Sequence, residues 1–270
     1  MASVSSESLA KALEFLEPKL AQASVDLPKD LFAVLEVLDA NAGLRRALTD
    51  PAREAAAKAG LLAQLLRGKV SADAEAIVAE LASYRWSSER DISDALETLA
   101  VTAVTAVAEQ QDGASGLAKL EQDLFSFIEV VRSNHELQRA LDEAQAPAEA
   151  KSALALKLVP NASRTSKVLI QQAVAAPRGL KPMALVERFV ELVAKRQQRW
   201  IATVTSSVQL SETQLQRLQQ GLNKFYAREL NLNTSIDPKL VGGLVVKVGD
   251  EVVDASVASR VADLRRALAS

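Results

Sequence analysis

The stretch from Asp237 to Leu268, DPKLVGGLVVKVGDEVVDASVASRVADLRRAL, carries the clearest succession of strand, turn and helix signals in the chain. The pair Gly242-Gly243 precedes a β-branched run, and Gly249-Asp250 separates that run from a second apolar stretch, as in a two-residue hairpin. Ser256 is suited to cap a helix whose apolar residues then recur at helical spacing. The stretch therefore predicts a β-hairpin followed by a helix.

Two further strands and a helix are predicted immediately upstream. Residues 200–208 are rich in β-branched side chains, and residues 231–236 alternate between apolar and polar. Between them, Ser211 and Gln214 stand at capping-box spacing and predict the start of a helix. The apolar face of that helix would carry Leu215, Leu218, Leu222 and Phe225. Residues 201–270 thus predict a small α+β module.

The C-terminal pattern resembles the signature of the delta subunit of F-type ATP synthases, called the oligomycin-sensitivity-conferring protein in mitochondria. Ala255 stands where that family usually has Gly, and Val241 where it usually has Ile; neither change blocks the predicted fold. We interpret the signature residues as turn, cap and strand-end positions of the module, with Arg260 on the solvent-facing flank of the predicted helix. They are Asp237, Gly242, Gly243, Gly249, Asp250, Asp254, Ser256 and Arg260.

An internal duplication is visible upstream of this module. Leu31–Leu48, LFAVLEVLDANAGLRRAL, recurs 93 residues later as Leu124–Leu141, LFSFIEVVRSNHELQRAL, with nine of eighteen positions identical. Two Leu-rich amphipathic helices can look alike by chance, but Asn, Arg and Glu in register argue for a repeat. The same shift aligns Lys58 with Lys151 and Arg85 with Arg178.

The repeat predicts two related antiparallel helical bundles, which we call the first bundle (residues 1–112) and the second bundle (residues 113–200). Asp112-Gly113 and Ser115-Gly116 mark the predicted linker between them. Each copy has a size that can close a small bundle core. The predicted fold class is therefore mainly α: two related bundles followed by the α+β module at residues 201–270.

The composition argues against several classes of function. A formal net charge of -2 gives no basic surface for nucleic acid, and the absence of Cys excludes disulfide and thiol chemistry. Gly68-Lys69 is followed by Val70, so it is no phosphate-binding loop. His135 is the only histidine, at a predicted helix boundary, and we interpret it as a surface or capping residue. The sequence predicts neither catalytic nor metal-binding residues, and no cofactor.

The resemblance implies a non-catalytic stator subunit that links the alpha subunits of the catalytic head to b-type stalk subunits. The first bundle resembles the enlarged form of some actinobacteria, in which a helical bundle is duplicated. The implied location is peripheral, at the cytoplasmic face of the bacterial cell membrane, without direct membrane insertion. Two alternatives stay open from the residues alone: a helical-repeat adaptor unrelated to the synthase, and an enzyme built from scattered carboxylates.

Overall fold

The computed structural model describes residues 3–198, 201–226, 230–237, 240, 242–248 and 251–254. The chain folds as two compact units, Met1–Val193 and Ala194–Ser270, here called the helical unit and the C-terminal module. The predicted fold class is confirmed: the described part of the chain is mainly α, with a small four-stranded sheet in the module. No described helix is long and apolar enough to cross a lipid bilayer.

The helical unit contains α1 to α9 and most of α10. Their bounds are α1 Ser3–Leu20, α2 Asp26–Ala40, α3 Ala42–Thr49, α4 Ala55–Leu66, α5 Ala72–Ser83, α6 Asp91–Arg132, α7 His135–Asp142, α8 Ala148–Leu158, α9 Arg164–Ala175 and α10 Pro182–Gln197.

Helix α6 is broken at the predicted linker. Asp112 (φ -138°, ψ 19°) and Gly113 (φ 59°, ψ -136°) leave the helical region, and only Gly adopts the second conformation readily. The break divides α6 into two helices, which we call α6N (residues 91–111) and α6C (residues 114–132). Close packing at the break also requires Gly116, where a Cβ atom would lie 2.1 Å from the carbonyl oxygen of Ala108.

The repeat is visible in the helices themselves. Shifted by 93 residues, α3 coincides with α7, while α4 and α5 fall within one residue of α8 and α9. The side chains of Asn41 and Asn134 cap α3 and α7 by accepting from backbone N–H groups. Lys58 and Lys151 are both buried. Corresponding residues thus have corresponding environments.

Helix α6N belongs to both copies of the repeat. In the same register, α1 corresponds to α6N, α2 to α6C, and α6N to α10. From Ala95 to Ala108 nearly every residue of α6N is buried, which is typical of a helix covered on all sides. Helices α2 and α9 both pack against α6, and one apolar core runs through both copies. The division into domains at residues 112 and 113 stays a prediction.

The C-terminal module consists of β1 (Ile201–Ser206), α11 (Glu212–Tyr226), β2 (Asn231–Ile236), β3 (Leu244–Val248) and β4 (Glu251–Asp254). The sheet order is β2-β1-β3-β4, with β1 parallel to β2 and antiparallel to β3. β3 pairs with β4 so that Val248 faces Glu251, which confirms the hairpin. Its turn, Gly249-Asp250, and the predicted helix from Ser256 onward lie outside the described residues.

The capping box of α11 is confirmed, but two of the four residues of its predicted apolar face, Leu215 and Phe225, are not among those that pack on the core of the module. The N–H of Ser211 donates to Gln214 Oε1 at 2.8 Å, and the N–H of Gln214 donates to Ser211 Oγ at 3.3 Å. Leu218 and Leu222 pack on the small core of the module, followed by Tyr226 rather than Phe225. Four-residue spacing keeps Tyr226 on the Leu218–Leu222 face, whereas Phe225 is 73% exposed.

Candidate interaction surfaces

The described signature residues occupy turns and strand ends. The N–H of Asp237 donates to the carbonyl oxygen of Ser206 at 2.9 Å, which extends the β1–β2 pairing by one residue. Gly242 (φ 146°) and Gly243 (φ 89°) have left-handed backbones directly before β3, as expected of glycine in a turn. Asp254 ends β4 opposite Val245.

The other four signature residues, Gly249, Asp250, Ser256 and Arg260, lie outside the described part of the chain. The functional importance of the whole set stays a prediction. His135 is the first residue of α7 and is exposed, in line with a surface position.

A buried ionic cluster joins the two bundles. Arg178 lies in the α9–α10 loop, and its guanidinium pairs with Asp39 of α2. It also pairs with Asp94 and Glu97 of α6N, at 2.9 Å each. On the opposite side of Glu97, Arg188 of α10 approaches to 3.3 Å. Arg178 (φ 55°) has the left-handed backbone that places its side chain among these carboxylates.

The charges in this cluster stabilise one another in a dry environment. The side chains of Arg178 and Glu97 are 6% and 1% exposed. Burial alone would lower the pKa of Arg178, but its hydrogen bond to Asp39 and the charge of Glu97 outweigh that effect and raise the pKa. The arrangement fixes α2 of the first bundle against α6N and the second bundle.

A matched pair of aspartates holds each bundle together internally. Asp30 of α2 accepts from the N–H of Ser71, the cap of α5, at 2.8 Å. Asp123 of α6C accepts from the N–H of Ser163, the cap of α9, at the same distance. Asp123 also accepts from the Ser166 hydroxyl at 2.8 Å and from the ammonium group of Lys119. Asp30 and Asp123 are 93 residues apart, so the repeat alignment pairs them. A search of the sequence for apolar periodicity and helix caps does not single them out.

A groove runs between the two bundles. Phe32 and Ala33 of α2 form one wall, and Val168, Gln172 and Ala175 of α9 form the other, around a volume of about 280 Å³. A second depression of about 180 Å³ continues it towards Arg178. The Nε2 atom of Gln172 is buried with no hydrogen-bond partner in the described structure. The groove therefore combines apolar side chains with an unused donor, and its wall also carries Lys29 and Glu36.

The C-terminal module also exposes apolar side chains. Val252 and Val253 point to opposite faces of β4 and are 56% and 41% exposed. Phe225 packs edge-on against Tyr226 with ring centroids 5.0 Å apart and remains largely exposed. Exposed aromatic and branched side chains of this kind are common at protein interfaces.

Comparison with known proteins gives consistent matches. A family model described as ATP synthase delta (OSCP) subunit matches residues 101–268, from within α6N onward. The ATP synthase subunit delta of Pseudarthrobacter chlorophenolicus is 59% identical over 274 residues, covering all of both chains. That of Renibacterium salmoninarum is 58% identical over 270 residues, again covering both completely.

A solved structure, that of the Toxoplasma gondii mitochondrial ATP synthase hexamer, contains a chain that is 19% identical, with a TM-score of 0.36. The match covers 63% of this chain and 95% of that chain, and this similarity is too low to carry an argument. The full-length matches do not favour an unrelated helical adaptor or an enzyme. The chain belongs to the ATP synthase delta (OSCP) subunit family, whose members are non-catalytic components of the peripheral stalk of F-type ATP synthases.

Proposed function

We propose that this chain joins the catalytic head of the synthase to its peripheral stalk, at the cytoplasmic face of the bacterial cell membrane. The observation that carries the proposal is full-length similarity at 59% identity to an ATP synthase subunit delta, with the extra bundle included in the match. In this role the chain makes and breaks no covalent bond. It holds two partners together while the rotor turns.

In this proposal the two units bind different partners. The helical unit binds N-terminal helices of the alpha subunits, and the C-terminal module binds the C-terminal helix of a b-type subunit. The inter-bundle groove beside Phe32 and Val168 and the exposed side chains of Phe225 and Val252 support this division. Both are surfaces on which an amphipathic helix can bury its apolar face.

A contact that transmits torque needs a substantial interface. A standard specific interface buries about 1,600 Å². Nanomolar affinity corresponds to about -12 kcal/mol. The exposed side chains named above are anchor candidates, because a few buried aromatic and branched residues carry most of the energy of an interface.

The first bundle, in this proposal, adds contact with the stalk and stiffens the joint. The continuous core and the Arg178 cluster support the stiffening, since neither bundle moves without breaking buried contacts. Deleting residues 1–113 is a poor test, because the second bundle would lose α6N together with the first. Substitutions on the surface of the first bundle test its contacts without that damage.

Affinity purification of the tagged full-length chain from gently solubilised membranes tests the proposal. We expect alpha and b-type subunits to be recovered together with the chain, as identified by mass spectrometry. An untagged strain serves as the control for nonspecific recovery. A chain recovered in good yield with neither subunit would overturn the proposal.

A further inference from the structure

The repeat produces the same helix face twice. On α2 the face consists of Lys29, Phe32, Ala33 and Glu36. Ninety-three residues later, on α6C, the corresponding residues are Gln122, Phe125, Ser126 and Glu129. We call these the α2 face and the Phe125 face. The phenylalanine at the centre of the α2 face is buried against the second bundle, whereas the phenylalanine at the centre of the Phe125 face is exposed.

On the α2 face the central phenylalanine is covered, while Lys29, Ala33 and Glu36 remain exposed around it. Phe32 is 4% exposed, and its ring centroid lies 6.4 Å from that of Phe189 on α10. Together with Lys29, Ala33 and Glu36, it lines the inter-bundle groove opposite α9. In the first bundle the phenylalanine of this face therefore packs against the second bundle, while the rest of the face borders the groove.

The Phe125 face is open. Phe125 is 49% exposed, compared with 4% for Phe32, whereas the other three residues of the face are exposed in both copies. The core of the second bundle does not need Phe125, because Leu124, Phe127, Ile128 and Val131 fill it from the same helix. The second bundle thus has an exposed phenylalanine at the position where the first bundle has one that packs against a neighbouring helix.

The charges around Phe125 indicate the chemistry of a partner that would bind there. Glu121 and Glu129 stand one helical turn before and after Phe125, on the same side of α6C. Neither carboxylate forms an ion pair within the described residues. In the first bundle the position of Glu121 is taken by Pro28, which is buried. The open copy therefore carries two free negative charges beside its apolar centre, one of them where the covered copy has a buried proline.

We propose that the Phe125 face docks an amphipathic helix of another subunit of the synthase, with an aliphatic or aromatic residue against Phe125 and basic residues one turn to either side. The helical nature of the occupant follows from what packs against Phe32, namely α10, with α9 on the other side of the groove. Its basic flanks follow from Glu121 and Glu129, since unpaired carboxylates at an interface select cations. This inference rests on the proposed function, because the occupant is a subunit of the same complex.

Val130 provides a matched control on the same helix. It is 37% exposed, and its counterpart Val37 on α2 is 45% exposed, so bundle packing covers this position in neither copy. A contact made through the Phe125 face should depend on residue 125 and be indifferent to residue 130.

Photo-crosslinking in the assembled synthase tests the inference. The full-length chain carries p-benzoylphenylalanine in place of Phe125 or of Val130, and the complex is purified, irradiated and mapped by mass spectrometry. We expect the product from position 125 to lie in a helical segment of another subunit, with Lys or Arg within about a turn on either side. Its yield should exceed that from position 130 by at least tenfold.

Three results would overturn the inference in an intact complex. They are equal yields at 125 and 130, a crosslink to a second copy of this chain, and a crosslink to a segment without basic residues. A chain purified without any other synthase subunit would instead overturn the proposed function, and the inference with it. The subunit composition before irradiation distinguishes the two failures.

Charge reversal tests the electrostatic part separately. With the crosslinker at position 125, the double substitution Glu121→Lys and Glu129→Lys should lower the yield at least fivefold. An unchanged yield would exclude a basic partner helix. Glu129 is exposed and Glu121 is half-buried without an ion pair in the described structure, so thermal unfolding of the variant should match that of the parent chain and confirm its fold.

Discussion

The guanidinium of Arg178 lies among three carboxylates from two helices, Asp39 on α2 and Asp94 and Glu97 on α6N. We expect Arg178→Met to lower the free energy of unfolding by about 3 to 5 kcal/mol, because it leaves buried Glu97 without its closest partner. Adding Glu97→Gln should recover part of the loss. Urea unfolding measures both effects.

The counterpart residue Arg85 is exposed, so Arg85→Met is the matched control and should change stability by less than about 0.5 kcal/mol. Equal losses for Arg178→Met and Arg85→Met would contradict the structural role assigned to the cluster.

The contribution of Asp123 to stability is expected to depend on pH. Burial alone would raise the pKa of its carboxyl, but hydrogen bonds from Lys119, Ser163 and Ser166 outweigh burial and hold that pKa below its ordinary value. A lowered carboxyl pKa adds stability that is complete above the unfolded pKa of about 4 and is lost as pH falls through the folded value. Asp123→Asn should therefore lower stability by about 1 to 3 kcal/mol at pH 7 and by less in acid.

Thermal unfolding of both forms at neutral and acidic pH measures this difference. The control Asp30→Asn should have a smaller effect, since Asp30 makes one such bond at a more exposed site. An Asp123→Asn loss that is independent of pH would show that the charge of Asp123 does not contribute.

At the scale of elements, the break in α6 depends on close packing at Gly116. We expect Gly116→Ala to lower stability by about 2 kcal/mol or more, because the new methyl group would overlap the Ala108 carbonyl oxygen. Gly60 in α4 has open space around it, so Gly60→Ala should instead raise stability by about 0.5 to 1 kcal/mol. Circular dichroism during heating measures both, and a neutral Gly116→Ala would contradict the packing.

The elements show how far the sequence could predict the structure. The bounds of β2 and β3 follow from local pattern and punctuation, and so does the cap of α11 at Ser211. The sheet order is not predictable in this way. β1 and β2 pair in parallel because α11, which connects them in the sequence, crosses from the end of β1 back to the start of β2. The same holds for Arg178. Its alignment with Arg85 was visible, but only the convergence of three elements makes one buried and leaves the other exposed.

At the scale of the whole molecule, the repeat was predictable from the sequence, but the sharing of one helix by both copies was not. A shift of 93 residues predicted two copies, and the Asp112-Gly113 punctuation predicted a linker between them. It did not reveal that α6N serves both copies, because α1 and α6N share no recognisable sequence pattern. The open Phe125 face was equally hidden, since burial of its counterpart Phe32 depends on α10, a helix of the other bundle.

Because α6N belongs to both copies of the repeat, we expect the two bundles to unfold together. We expect Phe32→Ala in the first bundle to cost about 3 kcal/mol or more and to lower the hydrogen-exchange protection of α9 in the second bundle. Loss of protection confined to α1–α5 would contradict this expectation and support two domains that unfold separately. Val37→Ala, at an exposed site on the same helix, is the control.

A bridging experiment shows whether one chain holds two partners at once. Immobilised alpha-subunit N-terminal peptide is incubated with a purified soluble b-type fragment, with and without the full-length chain. We expect the b-type fragment to be retained only when the chain is present. Separate binding of each partner without joint retention, or binding of neither, would contradict the proposed role.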